Sequence, residues 1–339
     1  MMSKTVELED IEQAAERLQS IAVRTPLLES AALDRAAGGR VLLKPECLQL
    51  TGSFKIRGAY NLMCQLTAGE AAHGVVAFSS GNHAQGVAAA GSVLGIQTAI
   101  VMPEDAPAAK LQNTRRLGGE TILYDRYTGN REAIARQLAA DRGATLVPSY
   151  DHAHIIAGQG TVGLEIMQQC AERGLTPDQV LIPCSGGGLS SGSAVAIKAL
   201  SESTSLHTVE PADFDDTARS LISGRRETNR GASRSICDAL LVETPGVLTF
   251  EINRKLAGPG LVVSDAEVRE AMRFAFQHLK LVVEPGGSAA LAAVLAGRLH
   301  TQGRTTVVVL SGGNVDTELF ARIQTERAGS WSANATKTK

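Results

Sequence analysis

The chain has 339 residues, 44% of them apolar and 20% charged, with a formal net charge of −2. This is the composition of a globular protein of one large or two medium domains, and a near-balance of charge with no block of one sign argues against nucleic acid or an anionic membrane as partner, leaving a small molecule or another protein. The five cysteines, Cys47, Cys64, Cys170, Cys184 and Cys237, are odd in number, scattered and without a C-x-x-C pair, so neither a disulfide framework nor a cysteine zinc site is expected.

The opening MMSKTVELEDIEQAAERL is amphipathic and acidic, unlike a secretion signal or a membrane span, and the expected location is the cytoplasm. LTGSFKIRGAYN follows at Leu50–Asn61, with Lys55 set in a small, apolar turn and helix start. From residue 74 short apolar runs alternate with helical patterns: GVVAFS and NHAQGVAAAGSVLG, QTAIVM and APAAKLQNTRRLG, ETILY and NREAIARQLAADRG. The rhythm resumes with QVLIPC and GLSSGSAVAIKAL, and again with SAALAAVLAGRL and TTVVVLSGG. Such alternation predicts β-α-β units and a parallel sheet, and the unbroken apolar character of VVVL, VLIP and AIVM predicts strands covered on both faces. His152 and His154, in DHAHIIAGQ, read as a solvated loop rather than a metal pair. Residues 212–260 are rich in Arg, Ser and Thr and read as loop with short helices, and 328–339 as a disordered tail.

Four glycine-bearing segments each follow an apolar run: SSGNHAQG at 79–86, CSGGGLSSG at 184–192, EPGGSAA at 284–290 and SGGNVD at 311–316. In a parallel sheet such segments converge on the ligand crevice. The Ser185–Ser191 stretch reads either as a tight strand-to-helix turn or as a nest of N–H groups for an anion at a helix N-terminus. It is not a Walker A loop, and Ser191 stands where the dinucleotide fingerprint needs its third glycine, so a compact phosphate is the better ligand. Beside a phosphate-anchored aldehyde, Lys55 acquires a purpose, because an amine there forms a Schiff base. No G-x-S-x-G elbow occurs.

Together SGSFKIRGA, SSGNHAQG, AGQGT at 157–161, SGGGL, VEP, VVEPGGSAAL and VLSGGNVD resemble the fold-type II pyridoxal-phosphate enzymes of the serine/threonine dehydratase and serine racemase group, in order over residues 10–323. The resemblance implies an α/β fold like that of the tryptophan synthase β chain, with mostly parallel sheets flanked by helices. It implies a large cofactor-binding domain from 1–66 and 148–323, a small substrate-side domain from 67–147, and a tail from 324. It further implies pyridoxal 5'-phosphate as cofactor and a homodimer.

Carried over residue by residue, Lys55 becomes the cofactor's covalent anchor and the base that takes the substrate α-proton. Phe54 packs on the cofactor face, Asn82 bonds its phenolic oxygen, and Ser185, Gly186, Gly187, Gly188 and Leu189 hold its phosphate. Glu284 joins the cofactor set, and Ser311 faces the ring nitrogen as a neutral partner, which weakens the electron sink and suits elimination. Ser79, Ser80, Gly81 and His83 hold the substrate carboxylate. Ser80, which is alanine in many relatives, is either an acid–base group opposite Lys55, as in the racemase-like branch, or only a hydrogen-bond donor. Glu210, Asp216 and the Phe214 carbonyl match a divalent-cation site of that branch, for Mg, Ca or Mn, although a solvated acidic turn reads the same way. Arg131 matches an arginine near the substrate's far end, where it would receive a second carboxylate, or is a helix-surface arginine. ICDALL departs from the usual Asp-Gly pattern beside the substrate side chain, which argues against serine as the preferred substrate. The implied reaction converts a β-hydroxy amino acid, L-threonine, L-serine or 3-hydroxyaspartate, to a 2-oxo acid and ammonia. A serine or aspartate racemase, a dehydratase for a bulkier amino acid, and a non-catalytic ligand-binding protein are the alternatives. A regulatory domain beyond SGGNVD is not expected.

Overall fold

The computed structural model describes residues 5–79, 81–106, 108–125, 127–229 and 233–326. The expected disordered tail therefore lies almost wholly outside the described residues. Ten strands run through the described chain: β1 Leu28–Glu29, β2 Arg40–Pro45, β3 Val75–Phe78, β4 Thr98–Pro103, β5 Glu120–Tyr124, β6 Thr145–Leu146, β7 Gln179–Pro183, β8 Ser205–Pro211, β9 Leu261–Val263 and β10 Thr305–Leu310. They form a six-stranded sheet in the order β1-β2-β10-β7-β8-β9 and a four-stranded sheet in the order β5-β4-β3-β6. Pairing is parallel throughout except at the β1–β2 edge.

The apolar runs are buried on both faces, as their lack of alternation requires. In the large sheet Val41, Leu43, Leu181, Val308 and Leu310 enter one core, and Leu42, Val180, Ile182, Val307 and Val309 enter the core behind it. The small sheet repeats the pattern, with Val75, Ala77, Ile100 and Met102 on one side and Val76, Ala99 and Val101 on the other. The 19-residue helix Ala153–Ala171 lies against the helix Gly188–Leu200 at backbone distance, since a Cβ on Gly192 would stand 2.2 Å from the Ile156 carbonyl. The glycines of AGQGT and GLSSGS thus permit a close helix crossing.

Residues 212–260 hold the helices Asp216–Ser223 and Val247–Leu256 with a short 3-10 turn at Asp238–Leu240, as the sequence suggests. The loop expected at His152 and His154 is corrected. His152 is the N-cap of the helix Ala153–Ala171, its Nδ1 accepting the His154 N–H at 3.1 Å, because Ala-Ile-Ile-Ala-Gly-Gln continues a helical rather than an extended pattern.

A candidate active site at the carboxyl ends of both sheets

Lys55 opens the helix Lys55–Met63, and its amine donates to the Ser149 carbonyl at 2.8 Å and lies 5.0 Å from the Phe54 ring centroid. Burial pulls its pKa from the usual 10.5 down to about 8, and the Glu284 carboxylate acts in the opposite direction. A lysine this close to neutral at working pH is poised as nucleophile and base.

The glycine segments gather around it. The Phe54 N–H donates to the Ser311 carbonyl at 3.2 Å, and Ser53 bridges Gly312. The Glu284 N–H donates to the Gly312 carbonyl at 3.0 Å, and the Ser311 N–H to the Gly287 carbonyl at 3.3 Å. Asn82, first residue of the helix Asn82–Leu94, donates from Nδ2 to Glu284 Oε1 at 2.5 Å and accepts at Oδ1 from Asn314 at 2.8 Å. Burial raises the Glu284 carboxyl to about 7, with Asp238 adding to the rise and Asn82 opposing it.

The loop between β7 and the helix Gly188–Leu200 could not be built from larger residues. A Cβ on Gly186 would fall 2.4 Å from the Tyr150 ring and one on Gly188 2.3 Å from Gln159 Oε1, while Gly187 adopts φ +92°, open to glycine. Thr249 Oγ1 donates to the Gly186 carbonyl at 2.6 Å, and Asn253 Nδ2 to Ser190 Oγ at 2.9 Å, so the helix Val247–Leu256 clamps the loop. Asp151 in turn caps that helix, accepting the N–H groups of Val247, Leu248 and Thr249. The N–H groups of Gly187, Gly188 and Leu189 find no protein acceptor among the described residues. They form the positive end of a buried helix, a setting for phosphate. Ser185 stands at the entrance, its Oγ accepting the Val242 N–H at 3.3 Å.

At the end of β3, Ser79 Oγ accepts the Gly81 N–H at 3.2 Å, and Ser80 lies outside the described residues. His83 is buried, its Nε2–H donating to the Val147 carbonyl at 2.9 Å and its Nδ1 without a partner. Burial, and after it the neighbouring Lys55 charge, push His83 down to about 3, so its imidazole is neutral. Arg131, first residue of the helix Arg131–Arg142, is exposed and stacks 5.8 Å over the Phe78 ring.

Glu210, at the end of β8, is wholly buried and accepts the N–H groups of Thr217 and Ala218 at 3.0 and 2.7 Å. Asp216 Oδ1 accepts from Asn229 at 2.6 Å, and its Oδ2 is buried without a partner. Burial raises both carboxyls, Asp216 to about 6 and Glu210 further under the added influence of Asp216. Phe214, whose N–H donates to the Pro211 carbonyl at 3.1 Å, lies between them. Among the described residues no three His, Cys, Asp or Glu side chains cluster as a metal site, so any cation here would need carbonyl or water ligands besides the two acids.

A sequence profile described as "Pyridoxal-phosphate dependent enzyme" matches residues 18–312. The chain belongs to that family. It is 43% identical over 314 residues to the L-threo-3-hydroxyaspartate ammonia-lyase of a Pseudomonas species, covering 93% of this chain and 97% of that protein. It is 36% identical to the serine racemase of Schizosaccharomyces pombe, covering 92% and 95%. Among solved structures, a bacterial-type threonine deaminase superposes with a TM-score of 0.86 at 44% identity, covering 91% of this chain and 99% of that one. Maize serine racemase superposes at 0.89 and 35%, covering 94% and 97%. The fold is thus the one that the motifs imply.

The residues fit the cofactor for which the family is named. A glycine loop closed to any Cβ offers N–H groups to a phosphate, and an amine of lowered basicity stands across the crevice. The sequence alone left Ser149, Tyr150, Thr249, Asn253 and Gln159 without a role, and only Gln159 sits in a recognisable motif.

Proposed function

We propose that this chain is an ammonia-lyase that converts a β-hydroxy amino acid, of the 3-hydroxyaspartate or threonine and serine type, to a 2-oxo acid and ammonia. The observation that carries the reading is the Lys55 amine, lowered to about 8, at the meeting point of four glycine segments. Pyridoxal 5'-phosphate, when bound, supplies the electron sink that makes the substrate α-proton removable. Lys55 removes that proton as general base, and Ser149 holds the amine by its carbonyl when it is free. The N–H groups at Gly187, Gly188 and Leu189 take the phosphate, with Ser185 and Gly186 shaping the loop. Phe54, Asn82, Glu284 and Ser311 surround the ring, Ser311 as a neutral neighbour of its nitrogen. Ser79, Ser80, Gly81 and His83 receive the substrate carboxylate at the start of the helix Asn82–Leu94, and Arg131 bounds the far end of the crevice. In this reading residues 67–147 are the substrate-side unit and the rest of the ordered chain holds the cofactor. A panel of L-serine, L-threonine and the 3-hydroxyaspartate isomers, with 2-oxo acid and ammonia both measured, tests the activity. Absence of product from every member of the panel refutes it.

A racemase is the second reading, supported by the serine racemase relatives and by Ser80. Loss of the α-proton to deuterated water without any D-enantiomer on chiral chromatography removes it. We extend the proposal to a divalent cation, Mg, Ca or Mn, on Glu210, Asp216 and the Phe214 carbonyl, supported by the unpartnered Asp216 Oδ2. Chelation or Glu210→Ala then lowers activity or melting temperature, and no change in either refutes the cation. A homodimer in the cytoplasm completes the reading, in keeping with free thiols at all five cysteines and the absence, among the described residues, of a helix long and apolar enough to cross a membrane. Mass measurement in solution tests the dimer.

A further inference from the structure

Across the crevice mouth, Lys110 from the helix Ala108–Arg116 donates to Asp238 Oδ2 in the ICDALL segment, 128 residues further along the chain. The contact joins the unit of the small sheet to that of the large one. Three further observations place it at the substrate. A Cβ on Gly81 would stand 3.9 Å from Lys110 Nζ, which puts the ammonium beside the Ser79–His83 loop. Leu240 and Ala239 lie 3.1 and 3.2 Å from a Cβ placed on Gly286, so ICDALL rests on the segment that carries Glu284. Lys110 and Asp238 both act on the Glu284 carboxyl, in opposite directions. The Lys110 side chain is 13% exposed and that of Asp238 53%, so the cation is the better sheltered partner and the anion the more easily displaced.

We infer that Lys110 is a specificity-determining residue that receives the second carboxylate of a dicarboxylic substrate, and that Asp238 holds that place until such a substrate displaces it. This rests on the lyase reading for the location of the substrate and names its class, a β-hydroxy amino acid with an acidic side chain. The α-carboxylate takes the N–H groups of the Ser79–His83 loop. The side-chain carboxylate, one carbon beyond the reacting β-carbon, then meets the ammonium on the ICDALL side. A monocarboxylic substrate leaves the Lys110–Asp238 contact in place. A dicarboxylic one exchanges one anion for another on the same cation, so the ammonium is never left unpaired in a partly dry site.

The test is calorimetric binding to the cofactor-loaded enzyme of two probes that lack the reacting amine, L-malate with two carboxylates and L-lactate with one. Malate should bind about tenfold or more tighter than lactate, the worth of one sheltered charge-assisted contact. In Lys110→Gln the ratio should fall to about threefold or less. In Asp238→Asn, which removes the competing anion and leaves the cation, it should rise severalfold. The inference is overturned if Lys110→Gln weakens both probes alike or leaves the ratio intact, or if Asp238→Asn lowers it. The two readings fail separately: a malate preference that depends on Lys110 in an enzyme releasing no ammonia retains the specificity assignment and refutes the lyase, and ammonia release with an unchanged ratio does the reverse.

Discussion

The amine of Lys55 should titrate near pH 8 in the cofactor-free protein, a direct consequence of its burial between Phe54, Ser149 and Glu284. A fall from 10.5 to about 8 corresponds to about 3 kcal/mol of preference for the neutral amine. At pH 7.5 it raises the neutral fraction from about one in a thousand to about a quarter, which is the fraction able to attack an aldehyde or accept a proton. Competitive acetylation followed by peptide mass spectrometry, run from about pH 6 to about pH 11, reads that fraction at Lys55 against the exposed lysines of the same chain. Glu284→Gln removes the one anion that holds the amine up, so the half-point should move below that of the unsubstituted protein. The same substitution has an independent readout in stability. Because the Glu284 carboxyl sits at about 7 in the fold against an ordinary 4.5, the folded state binds its proton more tightly than the unfolded chain. Stability therefore falls as pH rises from 4.5 to about 7, by about 3 kcal/mol in all, and Glu284→Gln should flatten that fall. A Lys55 half-point near 10.5, or one that rises in Glu284→Gln, refutes the reasoning.

Thr249→Val, which keeps the shape and deletes the hydroxyl bonded to the Gly186 carbonyl, should weaken cofactor binding to the apoprotein about tenfold, with Thr249→Ser close to the parent. Equal affinities for the valine and serine variants would show that the clamp is immaterial. Glu46→Gln breaks a wholly buried pair with Arg57, whose Nε and Nη2 donate to the carboxylate at 2.8 and 2.9 Å. Burial alone would raise that carboxyl, but the guanidinium outweighs it and holds the group low. The substitution should cost about 3–5 kcal/mol in denaturant unfolding, and a loss under about 1 kcal/mol would contradict it.

What the sequence made legible is what the backbone itself demands. Each glycine segment encodes a local requirement, such as the positive φ of Gly187 or the absence of room at Gly186, and the unbroken apolar strands carry the two-faced burial directly. Their convergence followed from parallel-sheet geometry. The partners of those segments were not legible, because they are ordinary residues at long separation. Ser149 reaches Lys55 across 94 positions, Glu284 reaches Asn82 across 202, and Thr249 reaches Gly186 across 63. None has a local pattern that distinguishes it from a surface polar residue. The β1 edge strand, two residues long, is too short to leave a period, and so the one antiparallel pairing went unpredicted.

The helix Lys55–Met63 belongs to both halves of the molecule. Its apolar face, Ile56, Ala59, Leu62 and Met63, is part of the core beneath the small sheet. Its Arg57 is locked instead to Glu46 and to Glu165 of the helix Ala153–Ala171, and Glu165 is also bound to Lys44 inside β2 of the large sheet. One flank is thus held by oriented ionic bonds, the other by contacts that slide. Any rocking of the small sheet about the large one would turn this helix on a fixed pivot a little over half a turn from the reactive amine. Closure of the crevice on a substrate would then be felt at Lys55 as a mechanical load, linking occupancy of the mouth to the aim of the base.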